Sequence, residues 1–176
     1  MCYEGLNVIG ICNASPIIYL AKLGSLDLLK KNFVEVLTTN RVKNEVLATD
    51  SIEKIEIEEA LNSWLKVIEI SNVKRIERLS TLNIHEGEAS ILVLAEDLKK
   101  ESDSIVIIDE SAAREIGRVL NLSITGTLGI LLRSTKRKII SSTKAKELLK
   151  ILTTETPFRV SNRILLKIIE EIEKIE

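Results

Sequence analysis

The chain has 176 residues, 45% hydrophobic and 29% charged, a balance that excludes a disordered polypeptide and favours one domain with a sizeable core. Its net charge of −1 excludes a global electrostatic pull toward nucleic acid, so such a ligand would need a local basic patch or a bound cation. Aromatic residues are only 3%, so the core is expected to be aliphatic; abundant Ile, Lys and Glu beside few Gly and Pro also suits a thermophile.

No apolar stretch reaches the roughly 18 residues of a membrane span, and the first residues lack the basic start and long apolar middle of a signal peptide. Cys2 and Cys12 form neither a disulfide framework nor a ligand set, and Cys12, ending an apolar run, reads as a small core residue. The expectation is a cytoplasmic protein with no membrane partner.

In chain order, residues 8–12 read as a buried strand ending in the turn Asn13-Ala14-Ser15-Pro16. Ser15 is expected to cap the following helix with Pro16 at its first helical position, and Ile17, Leu20, Ala21 and Leu23 recur at helical spacing as far as Gly24. A short helix near 26–31 and a strand at 34–37 follow. Thr38, Thr39 and Asn40 offer caps for a helix carrying Val42, Glu45, Val46 and Leu47. Next come a polar helix near 52–65, a strand near 66–70, a helical segment at 72–82 and a stronger helix over 85–100.

The clearest strand is 104–108, continuous and β-branched, with Asp109 directly at its end. The spacing then predicts helices over 111–120 and 126–137, a short strand at 123–125 between them, and two closing helices over 143–153 and 162–175, the last capped by Ser161. Apolar strands alternating with helices predict an α/β three-layer sandwich, a short parallel sheet with helices on both faces. Residues 1–156 are expected to form the domain, and residues 157–176 a C-terminal helix that packs on the domain or on a partner.

Ligands of such sheets bind outside the carboxyl ends of the strands, where strand order reverses. Asn13 and Asp109 fall at such ends. Glu45 and Glu88 lie near the start of helices expected to face the same edge, and Glu110 stands beside Asp109 to replace or support it. Carboxylates crowded in a cleft raise one another's pKa unless a cation neutralises them. Mg²⁺ or Mn²⁺ does this with oxygen ligands, and can activate a water and stabilise charge on a phosphoryl oxygen. At this point the alternatives stay open: Glu45 and Glu88 taken singly read as solvated surface residues, and Asp109 as a cap of the next helix.

The ordered set of stretches resembles the PIN-domain superfamily, in the VapC-like branch with a Gly-Thr-Leu-Gly signature. It comprises the segment from Asn13-Ala14-Ser15-Pro16 to Gly24, Val42 to Val46 around Glu45, Glu86-Gly87-Glu88-Ala89, and Ile107-Ile108-Asp109-Glu110 through Ala113-Arg114. Thr125-Gly126-Thr127-Leu128-Gly129 and Phe158-Arg159-Val160-Ser161 complete it. The resemblance implies a PIN-like, flavodoxin-like topology and a Mg²⁺- or Mn²⁺-dependent endoribonuclease acting on RNA. It further implies the toxin of a toxin–antitoxin pair, with a small antitoxin protein and a homodimer as partners. Glu45, Glu88 and Asp109 are then the catalytic acids, and with Asn13 and Glu110 the metal ligands. Ser15 matches a hydroxyl that supports the first acid, and Thr127 lines the metal cleft. The departure is Asn13, an amide where active PIN nucleases carry Asp. Hence the alternative: a weak or inactive PIN-like module that binds RNA or a protein partner.

Among the remaining residues, Arg114, Arg133 and Arg137 are candidate RNA contacts. Arg133, Lys136, Arg137 and Lys138 form the densest basic run, and the bland reading of that run is a solvated helix end. Gly126 and Gly129 read as close packing of helix on strand, without the spacing or Lys of a P-loop. His85, lacking a nucleophile partner, reads as a helix-entry residue. A receiver-type phosphoacceptor domain is disfavoured because the strand at 123–125 ends in Thr-Gly and not in Lys.

Overall fold

The computed structural model describes residues 7–48 and 50–175, so Cys2 lies outside it. Five parallel strands make one sheet: β1 (Ile9–Cys12), β2 (Glu35–Thr39), β3 (Leu65–Ile68), β4 (Ser104–Ile107) and β5 (Ile124–Thr125). The spatial order is β3-β2-β1-β4-β5, with Ile11 paired to Leu37 on one side and Cys12 to Ile107 on the other. This is the three-layer α/β arrangement that the alternation of elements predicts. Within that doubly wound class, the order differs from the 2-1-3-4-5 of flavodoxin itself. It reverses between β1 and β4, so the crevice opens beyond Cys12 and Ile107.

Right-handed crossovers put the connections from β1 through β3 on one face and those from β3 through β5 on the other. The helices obey this. α6 (Glu86–Leu98) lies on β1, β2 and β4, flanked by α5 (Val73–Ser80) and α7 (Ser111–Val119). On the opposite side α1 (Ala14–Lys22) and α2 (Leu28–Asn32) meet α8 (Thr127–Lys136), which α9 (Ser142–Thr154) and α10 (Asn162–Glu173) cover. α3 (Asn40–Ala48) links α1, α4 (Lys54–Ser63) and α6 at the carboxyl edge of the sheet. α10 packs on α8 and α9 and buries Ile172 completely.

The core is aliphatic, as the composition demands: Ile11, Ile17, Leu20, Ile91, Leu92 and Ile107 are among its fully buried members. Each such side chain contributes about 1.5–3 kcal/mol on burial. α6 is apolar nearly all round because it lies between the sheet and two other helices, and residues Gly87 to Ala95 are all buried. Cys12 is a free, buried thiol whose pKa is driven up by desolvation, the behaviour of a core residue.

One local expectation is corrected. Ser15 does not cap α1; the helix begins two residues earlier than expected, at Ala14, with extended Asn13 at the N-cap. Ser15 is drawn away by a distant acceptor, described below. Pro16 then occupies the third helical position, where its missing N–H is still among those a helix leaves unpaired. Ser161 caps α10 as expected, its side chain accepting from the Ile164 N–H.

Candidate metal centre

Four segments bring side chains to the β1–β4 crevice. β1 pairing runs one residue past the strand, the Asn13 N–H donating to the Ile107 carbonyl at 3.0 Å, which fixes Asn13 at the mouth. Asn13 is only 2% exposed. Glu45 lies on α3, whose first turn is held by Thr39: its hydroxyl accepts from the Val42 N–H at 3.4 Å and shares a 2.7 Å hydrogen bond with Ser90 of α6. Glu88 lies one turn into α6, 6% exposed, and accepts from the His85 N–H at 2.9 Å. His85 is therefore the N-cap of α6, the helix-entry role expected of it.

Asp109 and Glu110 follow β4 and have different partners. Asp109 Oδ1 accepts from the Thr127 N–H at 2.8 Å and its Oδ2 from the Thr127 hydroxyl at 2.6 Å. Gly126 makes this possible, because a Cβ there would lie 2.6 Å from Asp109 Oδ1 and 2.8 Å from an Arg114 guanidinium nitrogen. Close approach, and not only packing, is thus the use of this glycine, while Gly129 makes room for Thr125. Glu110 accepts from Asn13 Nδ2 at 3.3 Å and from the Ser15 hydroxyl. Ser15 therefore supports Glu110 across the seam and not the residue at position 13.

The carboxyls disturb one another. Desolvation is the main cause raising the pKa of Asp109, with Glu110 adding to it and Thr127 and Arg114 opposing. Glu88 is raised by desolvation and then Glu110, against the His85 N–H. Glu45 remains open to solvent, yet partial desolvation, Glu110 and Glu88 raise it too. Several carboxyls in one electrostatic neighbourhood favour a cation or a shared proton.

The polar atoms fit a hard cation. Asn13 Oδ1 is buried with no hydrogen-bond partner among the described residues, and Gly87 lies beside it. A Cβ at Gly87 would lie 2.8 Å from Glu45 Oε2 and 3.9 Å from Asn13 Oδ1. Among the described residues no three His, Cys, Asp or Glu side chains form a ready ligand group. The fit is therefore to an ion taking one or two carboxylates, an amide oxygen and waters, the habit of Mg²⁺. All-oxygen donors without His or Cys point the same way.

Of the residues singled out from the sequence, Asn13, Ser15, Glu45, Glu88, Asp109, Glu110, Arg114 and Thr127 gather at this edge. Arg133 and Arg137 do not. They lie about 9 and 15 Å along α8 from Thr127. Arg133 stacks 5.2 Å from the Phe33 ring, and Arg137 donates to the carbonyls of Lys31 and Asn32 at 3.0 and 2.8 Å. Tyr19 was missed by sequence reasoning. Its ring meets Phe158 edge-on at 5.0 Å, and its hydroxyl pKa is raised by desolvation, then Asp109 and Glu110, with Arg159 opposing. The available signal was its position four residues after Ser15, on the same face of α1.

A family model described as PIN domain matches residues 9–174. No curated protein matches the chain significantly. Among the described residues no helix is long and apolar enough to cross a membrane.

Proposed function

Because the chain belongs to the PIN-domain family, whose members are generally metal-dependent nucleases, we propose that it is a ribonuclease hydrolysing RNA phosphodiesters with Mg²⁺ or Mn²⁺. The observation that carries this is Asn13 Oδ1, buried and without a hydrogen-bond partner among the described residues, beside Glu45 and Glu110. Asn13 Oδ1 and one or two of the carboxylates of Glu45, Glu88 and Asp109 would hold the ion with waters, and Glu110 would stand in support. When bound, such an ion lowers the pKa of water and stabilises charge on a phosphoryl oxygen.

The chain's own residues supply the rest. Thr127 fixes the Asp109 carboxylate through two donors. Ser15 and Asn13 fix Glu110. Glu45, the solvent-accessible carboxylate of the set, is suited to take a proton from water. The reading extends to the VapC-like branch, on the Gly-Thr-Leu-Gly turn at residues 126–129. It includes a cytoplasmic toxin, a small antitoxin and a homodimer; a small reading frame beside the gene and co-purification of its product test that part.

A second reading is a catalytically silent PIN module that binds RNA or a protein. It is favoured by the amide at position 13 and by the engagement of both Asp109 oxygens with Thr127. Mn²⁺ titration calorimetry and cleavage of single-stranded RNA separate the two. The ribonuclease binds Mn²⁺ and cleaves, and Glu88→Gln and Asp109→Asn lose both. Absence of Mn²⁺ binding near neutral pH removes the metal reading. If Asn13→Asp changes neither affinity nor cleavage, the silent module is the better account.

A further inference from the structure

Beside Asp109 a cavity of about 520 Å³ opens between α7, the β5–α8 turn and the segment entering α10. Its floor is apolar, with Phe158 and Ile124, while Arg114, Arg118, Arg159 and Ser161 stand around it. None of the three arginines forms an ion pair among the described residues, although several other cations of the chain do. Arg114 and Arg118 are one helical turn apart on α7. Burial and then the Arg118 charge lower the Arg114 pKa while Asp109 opposes them, so Arg114 feels both its neighbouring cation and the acid at the cavity wall. Arg114 spends one donor on the Ile108 carbonyl at 2.9 Å. Arg118 and Arg159 are exposed and make no side-chain hydrogen bond among the described residues.

In a chain of net charge −1, three arginines without an ion pair among the described residues, two of them also free of side-chain hydrogen bonds there, form a local anion-binding surface around an apolar floor with room for an unpaired base or ribose. Ser161 opens α10, so that helix presents its positive end to the same cavity. The cavity is continuous with the acid centre through Asp109. We propose that this groove is the subsite for an RNA nucleotide flanking the phosphodiester held at the acids. Arg118 and Arg159 take its phosphates, and the floor at Phe158 takes its base or sugar. The assignment rests on the ribonuclease reading for the identity of the strand. It supplies the local basic patch that the overall charge makes necessary.

The test is fluorescence anisotropy with a short labelled single-stranded RNA, in EDTA and in Ca²⁺, at about 50 and 200 mM salt. The proteins are the full chain, Arg118→Glu, Arg159→Glu, and Lys150→Glu as a charge-matched control on α9, outside the groove. The groove variants are expected to bind roughly tenfold or more weakly, with the salt slope reduced by about one for each phosphate left without its arginine. Lys150→Glu should stay within about twofold of wild type, and Mn²⁺ binding should be unchanged in all of them. If the wild type binds and cleaves RNA while Arg118→Glu and Arg159→Glu bind like the control, the groove assignment falls and the ribonuclease stands. If the arginines are needed for RNA binding but nothing is cleaved in Mn²⁺, the groove stands and the ribonuclease falls. A wild type that binds no RNA overturns both. Loss of binding to a poly-glutamate peptide with RNA affinity retained assigns the groove to an acidic protein segment and overturns it as an RNA subsite.

Discussion

Asn13 Nδ2 donates to Glu110 Oε2 at 3.3 Å, across the seam between β1 and β4. An aspartate in that place has no proton to donate at neutral pH and would face Glu110 as a second anion. The amide therefore stabilises the metal-free centre while sacrificing one charge from it. Asn13→Asp is expected to cost about 1–3 kcal/mol in EDTA, a fall of several degrees in Tm for a chain of this size. Saturating Mn²⁺ should return that loss, since a ligand binding only the folded state stabilises it. Differential scanning calorimetry with and without Mn²⁺ measures both. An unchanged Tm in EDTA would show that the pairing contributes nothing.

Thr127→Val tests the other acid. Thr127 is fully buried, and valine keeps its shape and backbone N–H while removing the hydroxyl that donates to Asp109 Oδ2. The orphaned carboxylate oxygen should cost about 1–3 kcal/mol at neutral pH. Because the deleted bond is one that holds the Asp109 pKa down, the pKa should rise further. The destabilisation should accordingly shrink in mild acid. Urea midpoints at the two pH values check this, and a loss independent of pH would mean the hydroxyl acts through packing alone.

Much of the fold was legible because its signals are local. The apolar run ending at Asp109 and the cap at Ser161 both follow from a few neighbouring residues. The strand order was not legible, since periodicity identifies strands without saying which ones pair. Ser15 shows the same limit within the site. A Ser before Pro is a good local cap, yet its hydroxyl goes to Glu110, 95 residues away. The placement of Asp109 followed from the strand-end rule, whereas Glu45 and Glu88 gained meaning only from resemblance to a family. Arg118 and Arg159 were invisible as a pair because exposed cations on separate elements leave no periodic trace.

The pH dependence of the metal-free protein follows from the same crowding. Glu45, Glu88 and Asp109 all have folded-state pKa values above their ordinary ones, desolvation being the first cause of each. The folded state then binds more protons than the unfolded state between the ordinary carboxyl value, about 4, and the raised values. Unfolding free energy falls with pH wherever the native state holds the extra protons. The contribution of these three groups is thus fully present below about pH 4 and lost as pH rises through their folded values. Denaturant titrations in EDTA should show this decline. Mn²⁺ should flatten it, and the triple variant Glu45→Gln, Glu88→Gln, Asp109→Asn should lack it.

Gly87→Ala separates the centre from the fold most cleanly. A Cβ at this position meets Glu45 Oε2 at 2.8 Å and the nearest Val42 carbon at 3.7 Å, so the severe contact is with the free end of a flexible, solvent-accessible side chain. Glu45 can swing aside at little cost, and because Gly87 is the second residue of α6, only part of the about 0.5–1 kcal/mol that alanine gains over glycine in mid-helix is expected there. Stability should therefore be unchanged or slightly improved. The displaced Glu45 should lower Mn²⁺ affinity by roughly tenfold, about 1.4 kcal/mol. Calorimetric titration beside thermal unfolding measures the pair of effects. A stable Gly87→Ala variant with wild-type Mn²⁺ affinity would place the ion elsewhere than the space between Glu45 and Asn13. A variant whose affinity falls only in proportion to its stability would make Gly87 a structural glycine and nothing more.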